Sequence, residues 1–129
     1  MPALALMTLL WAVAWMIVFG GGLWAQGVSA ALVFGIAFVI FGLGECMHGP
    51  TQGALVADLA PPRLRGRYMA VSTLSWEVGF VIGPAAAGFI LDWRPLALWP
   101  LAAVVCLAAG AGALLLERKL PPALRVTPS

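Results

Sequence analysis

The chain has 129 residues, of which 63% are hydrophobic and only 9% are charged. A soluble domain carries about 25% charged residues because its surface faces water, so this composition excludes a soluble fold and indicates an integral membrane protein in a lipid bilayer. The net charge of +2 is too small to suggest a nucleic-acid partner.

Four apolar segments predict four membrane-spanning helices, at about residues 2–19, 28–57, 68–91 and 96–116. Each reaches the roughly 17–25 residues that a helix needs to cross a hydrocarbon core about 30 Å thick. The segments are too long and too continuously apolar for barrel strands, so their backbone hydrogen bonds must be helical. We therefore predict an all-α membrane protein, with a transmembrane four-helix segment at residues 1–120 and a short cytoplasmic tail at 121–129.

Glycine, proline and tryptophan mark the predicted helix ends. Three consecutive glycines at 20–22 are predicted to break the first helix. Pro61 and Pro62 should end the second, because proline lacks an N–H and disfavours a helical residue before it, and Trp93-Arg94-Pro95 should end the third. Two tryptophans are placed at helix ends, in the headgroup layer: Trp24 and Trp99. Three deeper ones are predicted to be packing residues: Trp11, Trp15 and Trp76.

The basic residues are divided unequally between the two sides of the predicted membrane segment. One side holds six of them, and the other holds only Arg94, beside Asp92. The six lie in the loop between the second and third helices and in the tail: Arg63, Arg65, Arg67, Arg118, Lys119 and Arg125. By the positive-inside rule the loop and both termini are cytoplasmic, and we expect a bacterial inner (plasma) membrane. No basic region lies near Met1, so the first segment is interpreted as a spanning helix rather than a signal peptide.

Two carboxylates lie inside predicted spanning helices, Glu45 and Glu77. A charged group at the bilayer centre costs about 2.5–3.5 kcal/mol on insertion scales, so such a residue suggests a functional site. Both lie roughly 15–20 Å from the cytoplasmic boundary at about 1.5 Å per residue. Helical spacing puts Glu45, His48 and Gln52 on one face of the second helix. These four residues are candidates for proton or substrate binding; the alternative is that they are hydrogen-bonding groups that fix helix packing.

The third helix has a small-residue face that is separate from Glu77. Gly79, Gly83 and Ala87 fall together on a helical wheel and suit the close approach of a neighbouring helix. Pro84 frees a backbone carbonyl in mid-helix and allows a kink, and Gly88 lies one turn further on. We predict that Gly79, Gly83, Pro84 and Gly88 form a packing and kink motif, of the kind that transporters place in moving parts.

The loop that enters the third helix contains Asp58, Arg65, Gly66 and Arg67. Asp58 is a candidate ion-pair partner of either arginine, and such a pair would hold the helical hairpin in one state. The alternative is that the charged groups are solvated and uncoupled, because exposed pairs contribute only about 0–1 kcal/mol.

No pattern of catalytic or metal-binding residues is present in the sequence. It has no phosphate-binding loop, serine-nucleophile or zinc-protease motif, so we predict neither an enzyme nor a cofactor. His48 has no second histidine or carboxylate at i+4, which argues against a metal site. Cys46 and Cys106 lie in apolar runs without C-x-x-C spacing and are interpreted as small packing residues.

One motif resembles a known family of transporters. The residues Gly79-x-x-x-Gly83-Pro84-x-x-Ala87-Gly88 resemble the antiporter motif G-x-x-x-G-P-x-x-G-G of the major facilitator superfamily, with alanine at the penultimate glycine. Residues 57–69, ADLAPPRLRGRYM, are similar to the loop that enters this helix in many drug:proton antiporters of the family.

The preceding helix extends this resemblance. Gly44-Glu45, Pro50 and the run ALVA at 54–57 look like the corresponding helix of such antiporters, so that the resemblance covers about residues 28–116. It implies a fold of twelve helices in two halves, of which this chain looks like the last four, the ninth to the twelfth, in the C-terminal six-helix half. The tenth and eleventh helices contribute to the cavity in the family, which draws attention to Glu45 and Glu77.

The resemblance also implies a function and partners. It implies transmembrane transport of a small molecule as part of a proton-coupled drug efflux carrier that works by the rocking of two helix bundles. The family's signature loop after the second and eighth helices is absent, so the chain is expected to need the remaining transporter helices. The substrate is not indicated.

Two alternatives remain open from the residues themselves. A self-contained four-helix chain can pair with another copy around a membrane glutamate, as in the small multidrug resistance family. Against this, the basic residues are strongly biased to one side, and the glutamates lie in the second and third helices. The other alternative is a non-transporting membrane assembly protein, for which carboxylates in mid-membrane have no obvious use.

Overall fold

The computed structural model describes residues 2–119, and these residues form four α-helices joined by short connections. The connection between α2 and α3 and the one between α3 and α4 each contain a 3₁₀ turn, Pro62–Leu64 and Pro95–Ala97. The helices are α1 (Pro2–Trp24), α2 (Gly27–Leu59), α3 (Arg65–Trp93) and α4 (Leu98–Lys119). The tail predicted at 121–129, which includes Arg125, lies outside the described residues.

The prediction of an all-α membrane protein is confirmed. Within residues 2–119, four helices are long and apolar enough to cross a membrane, with mean hydropathies of 1.6 to 2.3. Helix α2 has 33 residues, which is about 50 Å at 1.5 Å per residue. Since this exceeds a hydrocarbon core of about 30 Å, α2 must tilt or extend into the headgroup layers.

The predicted break of the first helix at the three glycines is wrong, because α1 continues through residues 20–22 to Trp24. In a bilayer the backbone has no water to bond, so a continuous helix outweighs the weak helix propensity of glycine. The chain turns instead at Ala25 and Gln26, and Gly27 has the left-handed φ of 54° that the tight turn requires. Gly21 serves packing, because a Cβ there would lie 2.5 Å from Val33 Cγ1 of α2.

The proline-based helix ends are confirmed. Helix α2 ends at Leu59, two residues before Pro61, and α3 ends at Trp93, two residues before Pro95. Both helices also contain an internal proline, Pro50 in α2 and Pro84 in α3, and each continues through it.

Helix α1 is the centre of the packing and lies along both α2 and α4. Small residues line these contacts, as expected where helices associate without a hydrophobic driving force between them. The most buried ones are Ala12, Ala14, Ala37 and Ala103. Against α4, the Thr8 side chain lies so close to Gly110 that it occupies the space of a Cβ there. The hydroxyl of Thr8 donates to the Ala5 carbonyl at 3.0 Å, so its burial leaves no unpaired donor.

Two predicted packing tryptophans hold this part of the bundle together. Trp15 of α1 stacks on Trp99 of α4, with ring centroids 5.7 Å apart, and meets Phe41 of α2 edge-on at 5.5 Å. Trp11 stacks on Phe41 at 5.5 Å and donates its indole N–H to the Phe41 carbonyl at 3.3 Å. Aromatic pairs at such distances contribute about 0.5–1.5 kcal/mol beyond burial.

Gly44 determines how closely α2 approaches Trp11. A Cβ at Gly44 would lie 2.5 Å from Trp11 Nε1, whereas a Cβ at Gly42 would meet no atom within 4 Å. Gly44→Ala should therefore displace the indole and destabilise the α1–α2 pair by about 1–3 kcal/mol. Gly42→Ala is the matched control, and it should be neutral or stabilise the helix by up to about 1 kcal/mol. Equal unfolding midpoints for the two variants in a denaturing-detergent titration would contradict this assignment.

Helix α3 stands apart from the other three helices. Within the described chain it has no buried residue, and it touches α2 and α4 at only a few points. Its large apolar side chains are correspondingly exposed, among them Phe80 at 66% and Val81 at 73%. Most of the surface of α3 therefore faces lipid or other protein in the membrane.

Candidate functional site

Helix α3 meets α2 through a small polar cluster around Trp76. The Trp76 indole N–H donates to Gln52 Oε1 at 2.9 Å. The amide nitrogen of Gln52 in turn donates to Ser72 Oγ at 3.4 Å. Gln52 thus links two consecutive turns of α3, in a region where unpaired polar groups would be costly.

His48 completes the cluster and connects it to α1. Its ring meets Trp76 edge-on, with centroids 4.6 Å apart and planes at 71°. On its other side lies Trp11, at 5.6 Å and 36°. One imidazole therefore contacts indoles from two other helices, so that α1, α2 and α3 meet at His48.

Helical spacing explains why these residues come together. On α2, His48 and Gln52 are four residues apart and share a face, as predicted. On α3, Ser72 and Trp76 have the same spacing. Trp76 was predicted to pack between helices, but Ser72 was not singled out as a partner of Gln52. Because Ser72 lies one helical turn before Trp76, the spacing of these two polar groups could have identified Ser72 from the sequence.

The two membrane carboxylates lie beside this cluster rather than in it. Glu45 is one turn from His48 on α2, and Glu77 follows Trp76 on α3, and both are exposed. Within residues 2–119 neither side chain has a hydrogen-bond or ion-pair partner. Gln52 and His48 are therefore brought together with α3, and the two glutamates are left facing outward.

The glycine motif of α3 also lacks a neighbour within the described chain. A Cβ at Gly79, Gly83 or Gly88 would meet no atom within 4 Å. On a helical wheel Gly79 and Gly83 share the face of Trp76, so α3 diverges from α2 beyond Trp76 along this face. The predicted close packing at these glycines is thus not made by α1, α2 or α4, and Pro84 beside them is exposed.

The charged residues of the α2–α3 loop are exposed: Asp58, Arg65 and Arg67. In the part of the chain that the structure describes, no ion pair joins Asp58 to either arginine. Gly66 lies between the arginines in the first turn of α3 and is exposed as well. The loop presents these groups to solvent or to lipid headgroups.

The α2–α3 hairpin brings several polar and ionisable side chains into one part of the structure. The described residues contain no group of three or more His, Cys, Asp or Glu side chains that could hold a metal ion. What the α2–α3 hairpin offers in mid-membrane is an imidazole, an amide, a hydroxyl and two carboxylates. Ionisable groups inside a spanning helix are costly and are therefore candidates for a functional role.

The hydrogen bond between Trp76 and Gln52 should carry a measurable part of the α2–α3 association. Trp76→Phe keeps an aromatic ring but removes the N–H, and we expect a loss of about 0.6 kcal/mol, with about 1.7 as the upper value for such bonds in membranes. Energy transfer between labels on α2 and α3 during a denaturant titration measures this loss. A double-mutant cycle with Gln52→Ala should show coupling of the same size.

Trp24→Phe serves as the control for that substitution. Trp24 is 67% exposed and makes no ring contact or side-chain hydrogen bond with the described residues. Its replacement should leave the association of α2 and α3 unchanged. If Trp76→Phe and Trp24→Phe behave alike, the hydrogen bond does not hold α3.

Comparisons with known proteins give relatives of the chain by sequence. The family model of the Major Facilitator Superfamily matches residues 2–129. The chain is similar to the uncharacterized MFS-type transporter YdeE of Escherichia coli strain K12, with 29% identity over 63% of this chain and 20% of the relative. It is also similar to multidrug resistance protein MdtH of Yersinia pestis strain Pestoides F, with 33% identity over 71% of this chain and 22% of the relative.

A second MdtH, from Aeromonas hydrophila subsp. hydrophila, is 34% identical over 45% of this chain and 15% of its own length. The chain thus spans only about a fifth of the length of the relatives that it matches. No solved structure matches it significantly.

Proposed function

This chain belongs to the major facilitator superfamily, and from that premise we propose that it supplies four helices of a proton-coupled carrier that exports small drug-like molecules. The family membership indicates a membrane transporter rather than an enzyme. It also argues against the alternative of a chain from the small multidrug resistance family.

The observation that carries the proposal is the outward position of Glu45 and Glu77. Both are exposed on the four-helix unit, and both lie roughly 20 Å from the cytoplasmic ends of their helices. A carboxylate that faces lipid at that depth is costly, so ionisable residues in membranes almost always face a bundle interior or a water-filled cavity. Other helices that complete a cavity along α2 and α3 would provide that environment.

The same reasoning supports the proposal that further transporter helices pack on α3. Its glycine face has no neighbour within residues 2–119, and the resemblance to the family implies that these are the ninth to the twelfth helices of a carrier. The DNA upstream of the Met1 codon tests this directly. We expect an in-frame run that encodes about eight more apolar segments of spanning length. A stop codon immediately upstream would favour assembly of the carrier from copies of this chain.

The nature of the cargo is supported by the relatives and by the chemistry of α2 and α3. Two of the relatives are named multidrug resistance proteins. The hairpin presents aromatic rings, amide and hydroxyl groups and two carboxylates, and its basic residues lie at the ends of the helices. Such a surface suits aromatic molecules that are neutral or cationic, because carboxylates attract cationic groups and no lysine or arginine lies in the middle of either helix.

We further propose that the α2–α3 loop is cytoplasmic, as the bias of basic residues predicts. Its arginines at 63, 65 and 67 are exposed. A Gly66→Cys variant should therefore resist a membrane-impermeant thiol reagent in intact cells and react after the membrane is permeabilised. Labelling of intact cells at this position would reverse the proposed orientation.

Export itself can be tested in an efflux-deficient bacterium that expresses the whole reading frame containing this chain. We expect lower accumulation of ethidium, an aromatic cation, than in cells carrying the empty vector. The difference should vanish when a protonophore collapses the proton gradient. A membrane assembly protein would give a different result. Ethidium accumulation would then equal that of the empty vector, and the Glu45→Gln and Glu77→Gln variants would lose a complex with a partner protein.

A further inference from the structure

A groove between α1 and α4 carries an inference that goes beyond transport. We propose that these two helices bind one phospholipid, whose acyl chains lie in the groove and whose phosphate is held by Arg94. None of the residues that line the groove belongs to α2 or α3, the helices on which the proposed carrier would build its cavity. The lipid site is therefore separate from the path of the transported molecule.

The groove is apolar throughout and has a volume of about 450 Å³. Its floor contains Ala12 and Ala103, which are buried where the two helices meet, and its walls include the larger, exposed side chains of Met16, Val104 and Leu107. Every side chain that lines it is a hydrocarbon, apart from the methionine thioether. Ligand pockets commonly measure about 300–1,000 Å³, so the groove has the size of a ligand site and the lining that hydrocarbon requires.

The shape of the groove favours a lipid chain over a further helix. Membrane helices that pack closely meet across small residues, as α1 and α4 do where Thr8 lies against Gly110. Here the small residues lie at the bottom, between walls of long and branched side chains. These walls keep the backbone of another helix away from the floor, whereas a flexible hydrocarbon chain can enter between them.

The position of the groove along the helices matches one leaflet of the bilayer. On α1 its lining residues fall within 9–17, about 12 Å at 1.5 Å per residue, which is most of the roughly 15 Å in half of a hydrocarbon core. On α4 they run from Pro100 to Leu107, in the half of the helix that is remote from Arg118 and Lys119. The groove therefore lies in the leaflet on the side of Arg94.

Arg94 is placed at the end of the groove where the headgroup of such a lipid would lie. It precedes the 3₁₀ turn Pro95–Ala97, which leads directly into α4 and to Pro100 in its first turn. It is also the only basic residue at this end of the described helices. A phosphate bound beside the groove thus has one cationic partner in the described chain.

The guanidinium of Arg94 is available for a phosphate. The side chain is exposed, and its Cζ lies 5.5 Å from the centroid of the Trp93 ring. Within residues 2–119 none of its N–H groups has a hydrogen-bond or ion-pair partner, and neither does the carboxylate of Asp92 nearby. A guanidinium that lies over an aromatic ring keeps the N–H groups at its edge, which can bind phosphate oxygens in pairs.

Photo-crosslinking tests the groove in the complete product of the reading frame that contains this chain, reconstituted in vesicles. The probe is a trace of phosphatidylglycerol with a diazirine in the middle of one acyl chain, and mass spectrometry maps the labelled residues. We expect labels to concentrate at residues 9–17 and 100–107. Even labelling of all exposed apolar residues would mean ordinary solvating lipid, and protection of the groove would mean that protein covers it. Either result would overturn the proposal.

Val104→Phe and Val105→Phe form a matched pair for this experiment. The two valines are adjacent on α4 and are 59% and 60% exposed, but only Val104 lines the groove. Val104→Phe should fill part of the groove and reduce its labelling to the level of the surrounding surface, whereas Val105→Phe should leave the labelling unchanged. Equal effects of the two substitutions would count against the site. The map of the unmodified protein decides the question even if a variant fails to fold.

Arg94→Gln tests the headgroup contact, with Arg63→Gln at the opposite end of the helices as its control. We expect Arg94→Gln to lower the labelling of the groove about fivefold, as one basic side chain near a phospholipid surface would, and Arg63→Gln to leave it unchanged. Unchanged labelling in Arg94→Gln would overturn the proposed phosphate contact. These measurements involve no transport, so a missing lipid site leaves the proposed carrier unaffected and a failed export assay leaves the lipid site unaffected.

Discussion

Replacing Glu45 or Glu77 by glutamine should reduce drug export driven by a proton gradient to the level of cells without the carrier. Glutamine keeps the size and hydrogen-bonding capacity of the side chain, but it cannot bind and release a proton. Both carboxylates are exposed on α2 and α3, and their distance along the helices from the α2–α3 loop predicts a position near the middle of the membrane, where a proton carrier is expected. The measurement is ethidium efflux against a gradient, with the amount of carrier in the membrane quantified in parallel.

The matched control for this pair is Asp92→Asn. Asp92 is also an exposed carboxylate of α3, but it lies at the end of the helix, where water and headgroups solvate it. Its replacement should leave efflux unchanged. If either glutamate variant is present in the membrane at the normal amount and exports at the unmodified rate, that carboxylate does not carry the proton.

Replacing Gly83 by a large residue should leave the stability of this chain unchanged but abolish export by the whole carrier. Within residues 2–119 a Cβ at Gly83 would meet no atom within 4 Å, so we expect Gly83→Leu to leave the four-helix unit intact and to add up to about 1 kcal/mol of helix propensity. In the complete carrier the same side chain would fill the space of a neighbouring helix, at a cost of about 1–3 kcal/mol. Export should fall to background.

Ala85→Leu tests whether the position, rather than the size, causes that loss. Ala85 is exposed on α3, and it lies on nearly the opposite side of the helix from Gly83. We expect Ala85→Leu to export normally and to unfold like the unmodified chain. A loss of stability in the isolated chain with Gly83→Leu would mean that the glycine face packs inside this unit, contrary to the structure.

The number and type of the elements were predictable because they depend on local properties. Spanning length and continuous apolarity identify a membrane helix without knowledge of its neighbours, and prolines at 61, 62 and 95 mark helix ends by local sterics. The predicted helix break at residues 20–22 was wrong because it rested on the weak helix propensity that glycine shows in water. In a bilayer the backbone hydrogen bonds must be kept, and one of these glycines, Gly21, instead lies against Val33 of α2.

The candidate site was only partly predictable. Periodicity along α2 puts His48 and Gln52 on one face, and in the structure both contact Trp76 of α3. Which residue of α3 would meet them depends on where the two helices cross, and this is not encoded in the periodicity of either helix. The small number of contacts that α3 makes with the other helices could not be predicted either. Its mean hydropathy of 1.6 identifies a spanning helix, but hydropathy does not show which helices are neighbours.

Inside-out membrane vesicles from cells expressing the reading frame that contains this chain give the most direct test of the proposed carrier. In such vesicles export becomes uptake, and an imposed gradient with an acidic interior should drive ethidium inward above its external concentration. Uptake should require the gradient and disappear in vesicles with Glu45→Gln. Equal uptake with and without the gradient, or equal uptake in vesicles that lack the carrier, would contradict proton-coupled export by this protein.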